Sequence, residues 1–259
     1  MADMMPAAFI GHGNPMVALE QNRFTRAWSE FATSIPRPSG ILAISAHWYV
    51  NNSAVTAMAK PRTIHDFSGF PDELFAIDYP APGDPDLARR VIEVAGPTDV
   101  SFDADSWGLD HGTWSVLTHM FPKADVPVVQ LSINATEPLA YHLALGRALY
   151  PLRSEGVLIV ASGNVVHNLG MIDWSLPGAG ADWAIRFDDD TRTTMNNAPG
   201  NLELLVAHPD AALAMPTPDH FLPLAYIAGL ADAASTTART MIEGYDLGSL
   251  SMTSFVVDR

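Results

Sequence analysis

Short apolar runs alternate along this chain with longer segments whose apolar residues recur at helical spacing. The short runs predict buried strands at Ala7 to Ile10, Gly40 to Ser45, Val126 to Ile133 and Val157 to Ala161. Strands that alternate with helices predict a mainly parallel sheet that is covered by helices on both faces. We therefore expect an α/β fold in which residues 1–259 form a single domain.

Local signals place the helices and the last strands. Asp84 is a favourable N-cap, and Pro85 suits the first position of the helix that follows. The spacing of apolar residues predicts further helices at Thr136 to Tyr150, Asp182 to Asn197 and Phe221 to Ala234. Two late segments, Thr237 to Ile242 and Met252 to Val257, are predicted to return as strands to the sheet.

The composition excludes several classes of function. The chain contains no cysteine, so a transition metal would have to be held by imidazole and carboxylate groups. A formal net charge of −15 opposes binding to nucleic acid and to anionic membranes. No stretch approaches about 18 consecutive apolar residues, and no basic leader is recognised, so we expect a cytoplasmic protein without a membrane span.

Histidines follow three of the predicted strands. His12 comes after the first strand, His47 after the second and His167 after the Val157–Ala161 strand. Ligands of open α/β sheets bind outside the carboxyl ends of the strands, so these three imidazoles should share one edge. This placement favours a metal site, although imidazole suits Zn, Fe, Cu and Ni alike and structural roles stay open.

The remaining histidines differ in what their surroundings indicate. His220 precedes an apolar helix within a proline-rich loop, and His111 lies at the start of another predicted helix. His65 lies in a long loop that is rich in proline and glycine, which is compatible with a lid or with a simple turn. We expect packing or helix-end roles for His119, His142 and His208. Spacing alone also leaves open a serine hydrolase that would use Ser162.

Seven ordered motifs resemble one enzyme family. They are Gly-His-Gly-Asn-Pro-Met at 11–16, Ser-Ala-His-Trp at 45–48, Ile-His-Asp-Phe-Ser-Gly-Phe-Pro at 64–71, Tyr-Pro-Ala-Pro-Gly at 79–83, Gly-Leu-Asp-His-Gly-Thr-Trp at 108–114, Ser-Gly-Asn-Val-Val-His-Asn-Leu at 162–169 and Pro-Thr-Pro-Asp-His-Phe at 216–221. This set is similar to the DODA-type extradiol aromatic ring-opening dioxygenases, which are the class III, LigB-like group.

The resemblance implies a mononuclear metal held by His12, His47 and His220. It implies that His167 is the catalytic base, although some members use a histidine here as a fourth metal ligand. It makes His111 a second catalytic group that touches substrate or O₂, and at a helix N-terminus we expect it to be neutral and to donate a hydrogen bond. We place His65 beside His111 as a candidate substrate-binding residue.

The implied reaction inserts both atoms of O₂ into DOPA or another substituted catechol and gives a ring-opened semialdehyde. The implied cofactor is Fe(2+), with Zn(2+) as a plausible occupant of purified protein because a third neutral ligand also suits zinc. Two alternatives remain at this level: a zinc-dependent hydrolase that uses the same histidines, and a non-enzymatic Memo-like binding module. The sequence does not fix the oligomeric state, and a homo-oligomer is compatible with it.

Overall fold

A computed structural model describes residues 4–96 and 100–258 of the chain. The strands in these ranges are β1 (Ala7–Gly11), β2 (Gly40–Val50), β3 (Ser53–Thr56), β4 (Val100–Asp103), β5 (Val128–Asn134), β6 (Val157–Gly163), β7 (Arg239–Ile242), β8 (Tyr245–Asp246), β9 (Leu250–Ser251) and β10 (Ser254–Val257). The α-helices are α1 (Arg23–Ser34), α2 (Asp72–Phe75), α3 (Pro85–Ala95), α4 (His111–Met120), α5 (Leu139–Ala148), α6 (Pro151–Ser154), α7 (Asp182–Asn197), α8 (Ala211–Ala214) and α9 (Leu222–Ala233).

The main sheet contains eight of these strands, in the order β4-β3-β5-β2-β6-β1-β10-β7. The central pairs β5-β2, β2-β6 and β6-β1 are parallel, and the outer strand β10 runs antiparallel to β1 and β7. A small second sheet joins β8 to β9. The predicted α/β class with a mainly parallel sheet is therefore confirmed.

Helices cover both faces of the sheet, each over its own apolar core. One core joins the sheet to α3, α5, α7 and α9, and it includes the buried Ile44, Leu131 and Phe187. The other core joins the opposite face to α1 and α4 around the buried Trp28 and Trp114. Neighbouring residues of a strand point to opposite faces, so the continuous apolar runs supply both cores at once. None of the helices in the described ranges is long and apolar enough to cross a membrane.

Most predicted elements lie within a few residues of their expected positions. The helix at Asp182–Asn197 has the predicted bounds, and the late strands occupy Arg239–Ile242 and Ser254–Val257, at the antiparallel edge of the main sheet. Two short strands near one edge of the sheet, β3 and β4, were not expected from the pattern. The main difference concerns β2, which was expected to end at Ser45 and continues to Val50.

Candidate metal centre

Three imidazoles converge beyond the central strands of the sheet. His12, His47 and His220 each place a ring nitrogen within 4.8 Å of the others, and their ring centroids lie 5.1 to 5.4 Å apart. The Nε2 atoms of His12 and His47 are 3.3 Å apart. His12 and His220 are only 1% and 7% exposed, so these rings are withdrawn from bulk water. Such a group of neutral imidazoles can hold a Zn or Fe ion.

An irregularity in β2 places His47 at this centre. Ile44 pairs with Leu131 of β5, but the next pair in register is Tyr49 with Ile133. Four residues of β2 therefore lie opposite a single residue of β5, and this extra length contains His47. A bulge of this kind bends a strand and redirects its side chains, and bulges often lie next to active sites.

The other two imidazoles are placed by a strand end, for His12, and by a loop that approaches the strand ends, for His220. His12 directly follows β1, and its backbone N–H donates to the Gly163 carbonyl at the end of β6 (3.0 Å). His220 lies in the loop before α9, and its carbonyl accepts a hydrogen bond from the Asn164 N–H (2.9 Å). A Cβ atom on Gly163 would lie 2.2 Å from that carbonyl oxygen. Glycine at position 163 therefore lets the loop that carries His220 reach the strand ends.

Each of the three imidazoles has an oxygen acceptor close to Nδ1, and for His12 and His220 the contact is a hydrogen bond. His12 Nδ1 contacts Ser162 Oγ (2.8 Å), which itself donates to the Gly112 carbonyl (2.5 Å) and so accepts from the ring. His47 Nδ1 lies 3.2 Å from an oxygen of Asp66, and His220 Nδ1 is hydrogen-bonded to Asp219. Partners that accept from Nδ1 leave the Nε2 lone pairs free for a metal, which is the arrangement found around metal-binding histidines.

Electrostatics favour neutral rings for His12 and His47. Burial lowers the pKa of His12 and His47 well below the usual value, and the neighbouring histidines lower both further. Burial alone would raise the pKa of Asp219, but its hydrogen bond and charge interaction with His220 outweigh this and bring the pKa to about 2. The neutral rings of His12 and His47 can bind a cation without first losing a proton.

His111 and His167 flank the three imidazoles on different sides. The His111 ring lies 3.8 Å from that of His47 and is hydrogen-bonded to Asp66. The His167 ring stacks on that of His220 with a centroid distance of 3.5 Å and an interplanar angle of 3°. Burial and the nearby His220 lower the pKa of His167 to about 3. His167 is therefore uncharged at neutral pH, with a ring lone pair that can accept a hydrogen bond.

His65 does not join the cluster. Its Nε2 lies 3.0 Å from the Ile77 carbonyl. The ring of Phe67 contacts both His65 and His111, at centroid distances of 5.7 and 5.4 Å. His65 instead lines a separate cavity of about 700 Å³, with Phe75 among the other lining residues. Its substrate-binding role remains a prediction.

The three histidines expected to be structural lie outside the cluster. His142 is buried and pairs with the Tyr226 hydroxyl (2.9 Å), and His119 contacts the Val17 carbonyl (2.9 Å). His208 contacts Asp190 at 3.1 Å rather than a metal-site residue.

Asp66 was not singled out from the sequence, although it lies beside His65 in a quoted motif. The signal that could have identified Asp66 as a site residue was its position next to a histidine in a long, ordered loop.

Comparisons with known proteins agree with this geometry. Residues 6–255 match the family described as the catalytic LigB subunit of aromatic ring-opening dioxygenase. The chain belongs to this family. It is 45% identical over 254 residues to 4,5-DOPA dioxygenase extradiol of Escherichia coli (strain K12), with 96% of this chain and 93% of the relative covered. It is 38% identical to the protein of the same name from Beta vulgaris, with 95% and 94% covered.

A solved structure shares the fold of this LigB family member. The crystal structure of an uncharacterized protein from Escherichia coli K12 superposes with a TM-score of 0.84 at 40% identity, and the match covers 98% of this chain and 99% of that one. The family and the relatives together make the chain an extradiol aromatic ring-opening dioxygenase, a metal-dependent class that uses O₂ and a small-molecule substrate. The motif resemblance seen in the sequence is confirmed.

The contact between Asp219 and His220 leads to a test of which residue binds metal. If His220 is the ligand and Asp219 only accepts from its Nδ1, Asp219→Asn should weaken metal affinity by about 10–100-fold, as loss of such a partner usually does. His220→Ala should remove stable binding altogether. Metal titration of the two purified apoproteins measures both effects. Equal and complete loss in both variants would show instead that the Asp219 carboxylate is itself a ligand.

Proposed function

We propose that this enzyme is an Fe(II)-dependent dioxygenase that opens a catechol-type ring beside its two hydroxyls. His12, His47 and His220 are the proposed metal ligands. The observation that supports this most is the direction of the three rings: each Nδ1 has a partner outside the cluster, which leaves three Nε2 atoms for one ion. No cysteine competes for the metal, and neutral imidazoles fit Fe(II) as well as Zn(II).

A bound Fe(II) ion would supply a redox-active Lewis acid with coordination positions left open by only three protein ligands. The protein groups then have separate tasks. His167, neutral and stacked on His220, takes the proton of a catechol hydroxyl as the substrate enters. His111 contacts the substrate or O₂ from the opposite side. The low exposure of His12, His111 and His220 limits water in the site.

We infer the substrate class from the relatives and from the chemistry of the site. Relatives that are 38–45% identical over most of both chains carry the name 4,5-DOPA dioxygenase extradiol. A cluster of imidazoles that includes a proposed proton acceptor, His167, suits a substrate that must lose hydroxyl protons on binding. We therefore propose DOPA or another substituted catechol, and a ring-opened semialdehyde as the product.

Exchange of the metal tests the proposed cofactor. Apoprotein loaded without oxygen with Fe(II), and separately with Zn(II), should be mixed with a panel of catechols while oxygen uptake and yellow products are followed. We expect both metals to bind and only the Fe(II) form to consume oxygen, because Zn(II) does not change its redox state. Turnover by the Zn(II) form without oxygen uptake would favour a hydrolase in place of an iron dioxygenase.

A further inference from the structure

One carboxylate oxygen contacts two of the imidazoles in the centre. Asp66 Oδ2 lies 2.9 Å from His111 Nδ1 and 3.2 Å from His47 Nδ1. The other oxygen, Oδ1, accepts the backbone N–H of His111 at 2.9 Å. An ionised carboxylate accepts hydrogen bonds and cannot donate them, so the hydrogen bond from His111 requires a proton on its Nδ1. The 3.2 Å approach of the same oxygen to His47 Nδ1 favours a proton there as well, because two lone pairs at that distance would repel each other.

We propose that Asp66 is a positioning residue that fixes the same tautomer in His47 and His111 and turns both Nε2 lone pairs toward the centre. This inference rests on the proposed function, in which His47 is a metal ligand and His111 contacts the reactants. Asp66 touches neither the metal nor the substrate in this account. It acts through the two rings. A single oxygen, Asp66 Oδ2, thereby links the orientation of the metal ligand His47 to that of His111, which contacts the reactants.

The segment that carries Asp66 is held firmly against α4. The Ile64 N–H donates to the Leu109 carbonyl (2.7 Å), and the Trp114 indole N–H donates to the Ile64 carbonyl (2.8 Å). The Asp66 side chain itself is 15% exposed. A carboxylate whose chain is anchored two residues away loses little conformational entropy when it orients the rings, so its position is built into the fold rather than induced by a ligand.

The tautomer changes the expected role of His111. The sequence suggested a neutral ring that donates a hydrogen bond, which would need the proton on the nitrogen that faces the centre. With Nδ1–H held by Asp66, a neutral His111 presents a lone pair at Nε2 and accepts. His111 therefore offers an acceptor to a proton of a bound catechol, in addition to the proposed base His167.

Two other roles for Asp66 make different predictions. It could simply complete the start of α4, but Asp110 already caps that helix through the Thr113 N–H. It could also hold a second metal ion, since one ligand atom from each of His47, Asp66 and His111 lies within 4.8 Å of the others. A structural role would affect folding stability alone, and a metal-binding role would add a second equivalent of metal.

Asp66→Asn separates these roles because the amide oxygen can keep the backbone contact to His111. The amide NH₂ then replaces Oδ2 and offers a donor to two ring nitrogens that previously donated. At least one ring must change tautomer or lose its partner. Asp72→Asn is the matched control, since Asp72 lies at the start of α2, is exposed, and undergoes the same change of charge.

Nitrogen-15 NMR of the histidine rings reads the tautomers directly in the Zn(II)-loaded protein, without any turnover. We expect His47 and His111 to be Nδ1–H in the wild type and in Asp72→Asn, and one or both to change in Asp66→Asn. Metal affinity of Asp66→Asn should fall by about 10–100-fold, and kcat of the Fe(II) form should fall at saturating metal, with the unfolding midpoint retained.

Nε2–H rings in the wild type, or an unchanged spectrum in Asp66→Asn, would overturn the positioning role. So would a second metal equivalent that disappears in Asp66→Asn. Failure of the proposed function would look different: the Fe(II)-loaded wild type would not consume oxygen with any catechol, whatever the state of its rings.

Discussion

Replacement of His12 by alanine should abolish stable metal binding and reduce oxygen consumption below detection, and His47→Ala should do the same. Each variant removes one of three imidazoles whose ring nitrogens lie within 4.8 Å of one another, and two imidazoles hold a divalent ion far less tightly than three. Elemental analysis after gel filtration measures the metal content, and an oxygen electrode measures the activity.

The fold should survive these changes. In His12→Ala, Ser162 keeps its hydrogen bond to the Gly112 carbonyl, and the loss of one hydrogen-bond partner typically costs about 1–3 kcal/mol. His208→Ala is a matched control, because His208 contacts Asp190 outside the cluster. It should keep its metal and its activity. Unchanged metal content in His12→Ala and His47→Ala would refute the ligand assignment.

His167→Ala should separate the chemistry from metal binding. If His167 is mainly the base, the variant keeps its iron, because His12, His47 and His220 remain. Catechol still reaches the open positions, but no group takes its proton, and kcat should fall by about 10²–10⁴-fold. A higher pH should restore part of the rate, because more catechol then arrives as its anion.

His167→Gln provides the matched comparison. Glutamine can donate a hydrogen bond but cannot accept a proton at neutral pH, so it should be as slow as alanine if the role is that of a base. A glutamine variant with near-normal kcat would indicate hydrogen bonding instead. Loss of iron from both variants, with no recovery at high pH, would show that His167 is a fourth metal ligand.

The sequence was most informative where a local pattern corresponds to a single structural solution. The Asp84-Pro85 signal marked the start of α3, and the structure confirms both the side-chain cap and the proline at the first turn. The apolar runs that became β1, β2, β5 and β6 were recognisable because strands buried on both faces must be almost wholly apolar. His12 could be placed at a strand end for the same reason.

Elements whose stability comes from distant contacts were harder to predict. The short strand β3 has only four residues. The Ala54 N–H donates to the Ser132 hydroxyl, and the Ser53 hydroxyl contacts that of Tyr141, both on other elements. The start of α1 carries a capping box in which Asn22 pairs with Thr25 rather than with the more usual glutamate or glutamine. The sequence therefore carried a start signal for α1, but with a threonine at the third helical position it did not match the usual pattern.

The sequence indicated which histidines form the centre, but not the strand register and the side-chain contacts that orient them. Histidines that follow predicted strands suggested which rings meet, but the bulge that directs His47 depends on a register between β2 and β5 that no local pattern shows. The bridge from Asp66 to two imidazoles joins a loop, a bulged strand and a helix. Contacts among three separate parts of the chain arise from the completed fold.

The fate of molecular oxygen tests the central claim most directly. Fe(II)-loaded enzyme should be given a catechol that it turns over, under ¹⁸O₂, with immediate chemical reduction of the product because an aldehyde oxygen exchanges with water. Mass spectrometry should then find both labelled oxygen atoms in one ring-opened product. A product that carries no label, or only one labelled atom before exchange can occur, would contradict extradiol dioxygenation by this site.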